Sequence, residues 1–396
     1  MLLVAALVVS LTSVPASGLD ALNARLEEHP ALAALVAEAE ARTLDGQSRM
    51  GLPNPNIAVG INNVPVNDPL EFDEYLPSSR SVTVTQALPS RGLRQARSAV
   101  DEAQARLVLV RLNAQRDQLR SALLVALREA HTAQSVEALV REQLAVYDEL
   151  AEVLESATVA GESRFVALAD MDADRAEADT LASDAMRLKA QARSRIESLV
   201  GPIGDLPVLD AISLPATSET LQFHAVELAQ ARARAADAGV SIREHDFDLG
   251  YEVSLTYSQR EAGVNFGGDD WVSARVGVSV PIWSRWNQQP ALDAARRDAD
   301  AARLRVSDAQ RTALEEYQSA AAAYAAARRS QTALESRIEA LADLSEAAQR
   351  EYESGASDLR PVLEARANAI GVRIRALQLQ LQADRAAASM RALSLD

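Results

Sequence analysis

Ser81-Val82-Thr83-Val84-Thr85-Gln86-Ala87-Leu88-Pro89-Ser90-Arg91 decides the reading, because it returns as Arg275-Val276-Gly277-Val278-Ser279-Val280-Pro281-Ile282-Trp283-Ser284-Arg285. Laying Ser90 on Ser284 sets an offset of 194 positions. Further along, Gly161 in Ala160-Gly161-Glu162-Ser163 falls on Gly355 in Ser354-Gly355-Ala356-Ser357 at the same offset of 194. Two separate landmarks that keep one spacing mark a tandem duplication. In each copy apolar and polar residues alternate, which is the period of a strand with one apolar face. A helical pattern of unusual length then follows.

Working outward gives the same layout twice. Residues 17–200 form the first repeat, 201–216 a linker, and 217–396 the second repeat. Each opens with a leading helix, Leu19 to Leu44 and then Thr217 to Ala238. Strands are expected over about 54–63 and 79–88, and again over about 248–258 and 271–281, from alternation such as Tyr251, Val253, Leu255, Tyr257 against Glu252, Ser254, Thr256, Ser258. Long helices follow at 91–155 and 163–199, and at 288–353 and 357–393. Leu93, Ala96, Val100, Ala103, Leu107 and Val110 recur at three-four spacing, a coiled-coil seam whose alanines let helices approach closely. A helix of about 65 residues would be roughly 98 Å long, far more than a compact domain needs. The fold class is therefore mainly α with a small β part.

Composition agrees. Of 396 residues 48% are hydrophobic but only 4% aromatic, with 16 Gly and 14 Pro, which suits closely packed helices and disfavours a loop-rich β protein. A net charge of −16 argues against nucleic acid as a partner, since phosphate binding needs a basic surface. With no cysteine there is no disulfide framework, thiolate metal site or lipid-acceptor Cys. Leu2 to Leu11 is an apolar run of signal-peptide length, and Val14-Pro15-Ala16 supplies a small-residue cleavage pattern, so residues 1–16 are expected to be an export signal. The alternative is a buried N-terminal helix, favoured by the missing basic start. Past residue 20 no stretch is apolar enough for a membrane-spanning helix, so a membrane could be crossed only by strands.

Four strands cannot close a barrel, and unpaired edges are forbidden in lipid. Three chains would supply twelve. Trp271, Trp283 and Trp286 all lie in or beside the second strand pair, with Tyr251 and Tyr257 inside it. Aromatics at strand ends suit the two interfaces of a membrane, although they would also suit an ordinary β-core.

These residues resemble the TolC-like outer membrane efflux proteins over nearly the whole chain after residue 20. His29-Pro30-Ala31-Leu32 is similar to the family's Asn-Pro-x-Leu opening, and Leu52-Pro53-Asn54-Pro55 precedes the first strand as in family members. Gln86-Ala87-Leu88 leads into Ser90-Arg91-Gly92 where the family has Gln-Pro-Leu and a Gly. Val280-Pro281-Ile282 with Arg285-Trp286-Asn287-Gln288 is similar to the Pro-Leu-Phe-x-Arg-Asn-Gln pattern of the branch related to CzcC, which serves heavy-metal cation efflux. The resemblance implies a homotrimer with a twelve-stranded barrel in outer membrane lipid and an α-helical tunnel in the periplasm. A periplasmic adaptor (membrane fusion) protein and an inner-membrane pump of RND type would deliver metal cations or small toxic compounds to it. The chain departs from the pattern in having no lipid-acceptor Cys and in carrying Gln289-Pro290 in place of the usual Gly. A secretion duct and a soluble coiled-coil scaffold are the alternatives.

The resemblance also marks candidate residues. Gly161 with Ser163, and Gly355 with Ser357, are expected at the helix turns that would meet the adaptor, each glycine taking φ > 0 and each serine standing near an N-cap. Arg164, Asp170, Asp174, Asp358, Arg360, Glu364 and Arg366 would then line an entrance gate or else form a solvated face. Tyr352 matches a tyrosine of the family's closed entrance, whereas Ser357 stands where the family has an arginine. Tyr251, Tyr257, Trp271 and Trp283 would form the barrel's aromatic girdle. Chemistry is thinly marked, and no enzyme or cofactor is expected. His29, His131, His224 and His245 lack metal-ligand spacing and read as satisfied surface histidines. Asp170, Asp172 and Asp174 lack the glycine and terminal Glu of a calcium loop. No Ser-His-Asp triad can be placed.

Overall fold

A computed structural model describes residues 18–64, 78–156, 162–214, 221–260, 267–357 and 359–395. In chain order the elements are α1 (Leu19–Glu27), α2 (Pro30–Arg49), β1 (Asn56–Asn62), β2 (Ser79–Leu88), α3 (Arg91–Ser156), α4 (Glu162–Val200), α5 (His224–His245), β3 (Gly250–Arg260), β4 (Trp271–Ser279), α6 (Gln288–Glu353) and α7 (Arg360–Leu393). The leading helix, expected as one piece from Leu19 to Leu44, is two. Pro30 has no N–H to continue a helix and instead begins the second one, and the His29 imidazole Nδ1 accepts from the Ala31 N–H at 3.2 Å, as a capping group does.

The chain packs as two compact units, and neither is a repeat. One comprises Met1–Ala33, Asn113–His224 and Arg311–Asp396; the other comprises Ala34–Leu112 and Ala225–Gln310. Each thus takes pieces of both repeats, as expected when duplicated halves pack side by side.

The first unit is helical. Met171, Ala178, Ala185 and Ala192 recur every seven residues along α4, all buried, a heptad seam of mostly small side chains. Val136, Val140, Tyr147, Leu150 and Leu154 of α3 and Leu363, Ile370 and Ile374 of α7 close over its lower part in one apolar cluster. A second cluster joins Leu22 and Leu26 of α1 to Leu123, Ala126 and Leu127 of α3 and Ile196 of α4. Truncating a wholly buried leucine such as Leu127 to alanine costs roughly 2 to 5 kcal/mol. Beside these seams lies an ionic junction. The Glu129 carboxylate on α3 is 9% exposed and accepts from Arg385 of α7 at 2.7 and 3.1 Å, with Arg195 of α4 at 3.5 Å. Next to it Arg128 meets Asp384 at 3.6 Å and donates to the Asp210 carbonyl. Burial pushes the Asp384 carboxyl above its usual value, against the opposing pull of Arg128 and Arg328.

The second unit holds the sheet. Its four strands are antiparallel in the order β1-β2-β3-β4, so the hairpins of the two repeats meet at β2 and β3. Among the described residues β1 and β4 each pair on one side only.

Candidate functional site

The register sorts every strand residue onto one of two faces. One carries Ile57, Val59 and Ile61 of β1 opposite Val84, Val82 and Arg80 of β2, then Leu255, Tyr257 and Gln259 of β3, then Ala274 and Val272 of β4. Toward the helices the row continues through Gln86, Val253 and Val276 and ends at Leu88, Tyr251 and Val278. The other face carries Asn56, Ala58, Gly60 and Asn62, then Thr85, Thr83 and Ser81, then Ser254, Thr256 and Ser258, then Arg275 and Ser273. Hydroxyls bridge the strands on this side, with Thr83 and Thr256 oxygens 2.9 Å apart and the Asn62 amide donating to Ser81 at 3.1 Å.

The apolar face is uncovered. Val59 is 81% exposed, Val272 70% and Val276 69%, and even on the central strands Val82 and Leu255 are more than two-fifths open. A soluble protein would turn such a face inward, since contiguous exposed apolar surface marks a partner or a membrane. The polar residue inside the band, Gln86, is half-buried and gives its amide to the carbonyls of Pro53 and Ala87 at 2.8 and 2.9 Å. From Tyr251 to Tyr257 the band runs about 20 Å along β3.

Tyr251 ends the apolar row on the helix side and Tyr257 stands near its far end, where its hydroxyl donates to Asp270 at 2.5 Å. Trp271 differs from the girdle expected of it. It pairs with Ser258 on the hydroxyl face, and the Arg260 guanidinium lies 4.7 Å over its ring. Trp283 lies beyond the sheet, in the turn between β4 and α6.

The two strand-to-helix junctions have diverged. In the first repeat Ser90 caps α3: its hydroxyl accepts from the Leu93 N–H at 3.1 Å and donates to Asp248 at 2.7 Å. His245 holds the same Asp248 oxygen at 2.8 Å, and these bonds keep the Asp248 carboxyl below its ordinary value, Ser90 contributing most. A Cβ on Gly92 would stand 2.3 Å from the His245 ring, so glycine leaves room for the imidazole. Sequence reasoning missed this link between repeats, because Ser90, Asp248 and His245 carry no spacing that announces it. In the second repeat the helix begins three residues later relative to the matched serine, at Gln288.

Among the helix turns, Gly355 has φ +74, and Ala356 N–H to Glu351 O and Gly355 N–H to Tyr352 O, both 2.9 Å, complete a Schellman closure of α6. Gly161 and Asp358 lie outside the described residues. The helices do not start at the serines. Ser163 falls inside α4, which begins at Glu162, and α7 begins at Arg360 with Leu359 as N-cap, fixed by Pro361 in its first turn. Arg164 also lies inside α4. Arg360 pairs with Glu364 along one helix at 2.6 Å, while Asp170 and Asp174 are exposed and form no ion pair among the described residues. Arg175 beside them holds Asp148 at 2.7 Å, and Tyr352 is 41% exposed at the end of α6.

One histidine, His224, departs from the surface reading, whereas His29, His131 and His245 are half-buried. His224 is 6% exposed and lies 3.1 Å from Asp117, and His131 is half-buried against the Pro207 carbonyl at 2.7 Å. Among the described residues no group of His, Asp or Glu could hold a metal ion, and no helix is long and apolar enough to cross a membrane.

Residues 219–394 match the family of outer membrane efflux proteins. No curated protein matches the sequence. Solved structures match nearly all of it. The outer-membrane channel OprN is 19% identical, over 94% of this chain and 89% of that one, with a TM-score of 0.74. The open state of the MtrE outer membrane channel of Neisseria gonorrhoeae is 16% identical, over 96% and 93%, with a TM-score of 0.75. CusC, described in terms of folding and transmembrane channel formation, is 16% identical, over 94% and 90%, with a TM-score of 0.72. At such identities the likeness is one of fold, and the fold is that of these channels.

Proposed function

We propose that this chain is an outer membrane efflux protein: three copies close a twelve-stranded barrel, and their helices continue it as a periplasmic duct. The observation that carries this reading is the sheet, with one face apolar and open, the other lined by hydroxyls, and edge strands β1 and β4 that each pair on one side only among the described residues. Lipid tolerates such a sheet only when it closes on itself, and two open edges per chain close by pairing with further copies. The match of residues 219–394 to the efflux family supports the same assignment.

In this role the protein performs no bond chemistry. It supplies a polar path, and an adaptor and an inner-membrane pump of RND type supply selection and energy. The similarity of Val280-Pro281-Ile282 and Arg285-Trp286-Asn287-Gln288 to the CzcC-related pattern makes metal cations, or else small toxic compounds, the cargo we favour. Gly355 presents an open, left-handed backbone turn suited to an adaptor contact.

The test is the mass of the protein after mild detergent extraction. A trimer that falls to monomer on boiling is expected. A water-soluble, monodisperse monomer of the mature chain would overturn the proposal.

A further inference from the structure

Charge on the hydroxyl face of the sheet belongs to one repeat only. Across β1 and β2 that face carries nothing but Asn, Ala, Gly, Ser and Thr. The register lets the second repeat be compared pair by pair at the offset of 194. The pair Ala58–Thr83 returns as Glu252–Gly277, and Gly60–Ser81 returns as Ser254–Arg275. Two uncharged positions have thus become a carboxylate and a guanidinium.

The pairing partners accommodate the change. A Cβ on Gly277 would stand 2.8 Å from Glu252 Cγ and 3.0 Å from its Oε1, so the glycine gives the acid room to lie across β4. Arg275 is one two-residue step away on β4, about 7 Å along the strand. Both side chains are exposed, and neither has an ion-pair partner among the described residues. The remaining charge on this face of the strands, Arg260, is stacked over Trp271 at the far end. In a chain of net charge −16, the face therefore carries two guanidiniums to one carboxylate. Closing the barrel would not cancel the excess, because the β1 strand that then meets β4 brings only Asn, Ala and Gly to this side.

We infer that Arg275 determines which solutes the barrel passes: three copies ring the lumen with positive charge and favour anions over cations of the same size. This rests on the barrel reading above, and of the cargoes named there it selects small toxic compounds that carry an anionic group. Twelve strands about 4.8 Å apart and tilted by about 40° give a circumference of roughly 75 Å and a radius of about 12 Å. An arginine reaching inward from such a wall brings its charge within about one Debye length of the axis, ~8 Å in physiological salt. Rings of Arg or Lys favour anions in a pore, and rings of acids favour cations. Glu252, one step nearer the helices, opposes Arg275 and limits the preference.

The lack of cysteine allows the field to be read locally. Ser273→Cys lies two residues from Arg275 on the same face. In reconstituted trimers it is reacted with two membrane-impermeant methanethiosulfonates, one ending in a sulfonate and the other in a quaternary ammonium. Adding Arg275→Gln should lower the ratio of sulfonate to ammonium rates by about threefold or more. Arg275→Lys should preserve the ratio, and Glu252→Gln should raise it. In trimers without the cysteine, the reversal potential in a potassium chloride gradient should shift toward potassium for Arg275→Gln and toward chloride for Glu252→Gln. A rate ratio or a reversal potential that does not respond to Arg275→Gln overturns the inference. Ala274→Cys, on the opposite face, reads the barrel separately. If both reagents label Ser273→Cys and neither reaches Ala274→Cys, the barrel stands whatever Arg275 does. If both positions label alike, the barrel reading fails and the inference fails with it.

Discussion

At the scale of single residues, the two repeats are tied together by a short polar chain. Ser90 belongs to the first repeat, His245 and Asp248 to the second, and one carboxylate oxygen is shared by the other two side chains. The hydroxyl has two duties, capping α3 and holding Asp248, and these separate with pH. Because the folded Asp248 carboxyl is depressed, its contribution to stability is present above the ordinary carboxylate value of about 4 and is lost as pH falls through its lowered value. Ser90→Ala should therefore lower the melting temperature at neutral pH by more than it does in acid, where only the cap, about 1 kcal/mol, remains. Thermal melts of both proteins across the carboxylate range measure this. A gap that stays constant through that range would show that Asp248 gains nothing from Ser90. None of this was legible beforehand, because residues 158 positions apart give no local signal. Glu129 escaped for the same reason: a lone acid on an α-helix shows its arginines only once α4 and α7 are packed against it.

Elements were more legible than their ends. Alternation placed the strands and uninterrupted apolar periodicity placed the long helices, since both follow from side-chain repeat alone. Ends obey local chemistry that competes with the repeat. Pro30 split the leading helix, and Pro361, in the first turn of α7, set its start beyond Ser357. A turn takes Arg285, Trp286 and Asn287, whose counterparts in the first repeat are already helical, and so defers α6. Gly355 is the end whose chemistry the sequence did reveal, because a glycine after a charged last turn is a common way to finish a helix. Its φ of +74 disfavours any side chain, although nothing lies within 4 Å of the missing Cβ. Gly355→Val should thus cost about 1 to 2 kcal/mol through backbone strain alone. In the proposed assembly it should also weaken cross-linking to the adaptor while leaving the trimer intact. Gly355→Ala separates these effects: it carries a similar strain with less bulk, so a loss of cross-linking confined to valine identifies a contact surface. Unchanged cross-linking in both variants would leave Gly355 as an ordinary helix stop.

For the whole molecule, what the single chain lacks is as informative as what it contains. The duplication yields a sheet in which β2 meets β3, so that the hairpins of the two repeats satisfy each other and, among the described residues, the unsatisfied edges fall to β1 and β4. A continuous barrel of identical chains must then pair β1 of one copy with β4 of the next, antiparallel like every other pair in the sheet, at one register repeated three times. The chain's lack of cysteine makes this measurable without a prior substitution. Ala58→Cys on β1 would be combined, one at a time, with Cys at Ser273, Arg275 or Gly277 on β4, all of which share the hydroxyl face. A strand offset of two residues moves paired Cβ atoms well beyond the roughly 4 Å that a disulfide spans, so cross-linking should peak sharply at one combination. That combination should run as covalent dimers and trimers without reductant and collapse to monomer with it. A control with Val272→Cys or Ala274→Cys in place of the β4 partner points to the opposite face and should give little product. Equal, weak cross-linking at every position would mean collision between separate sheets, and the closed twelve-stranded barrel would have to be abandoned.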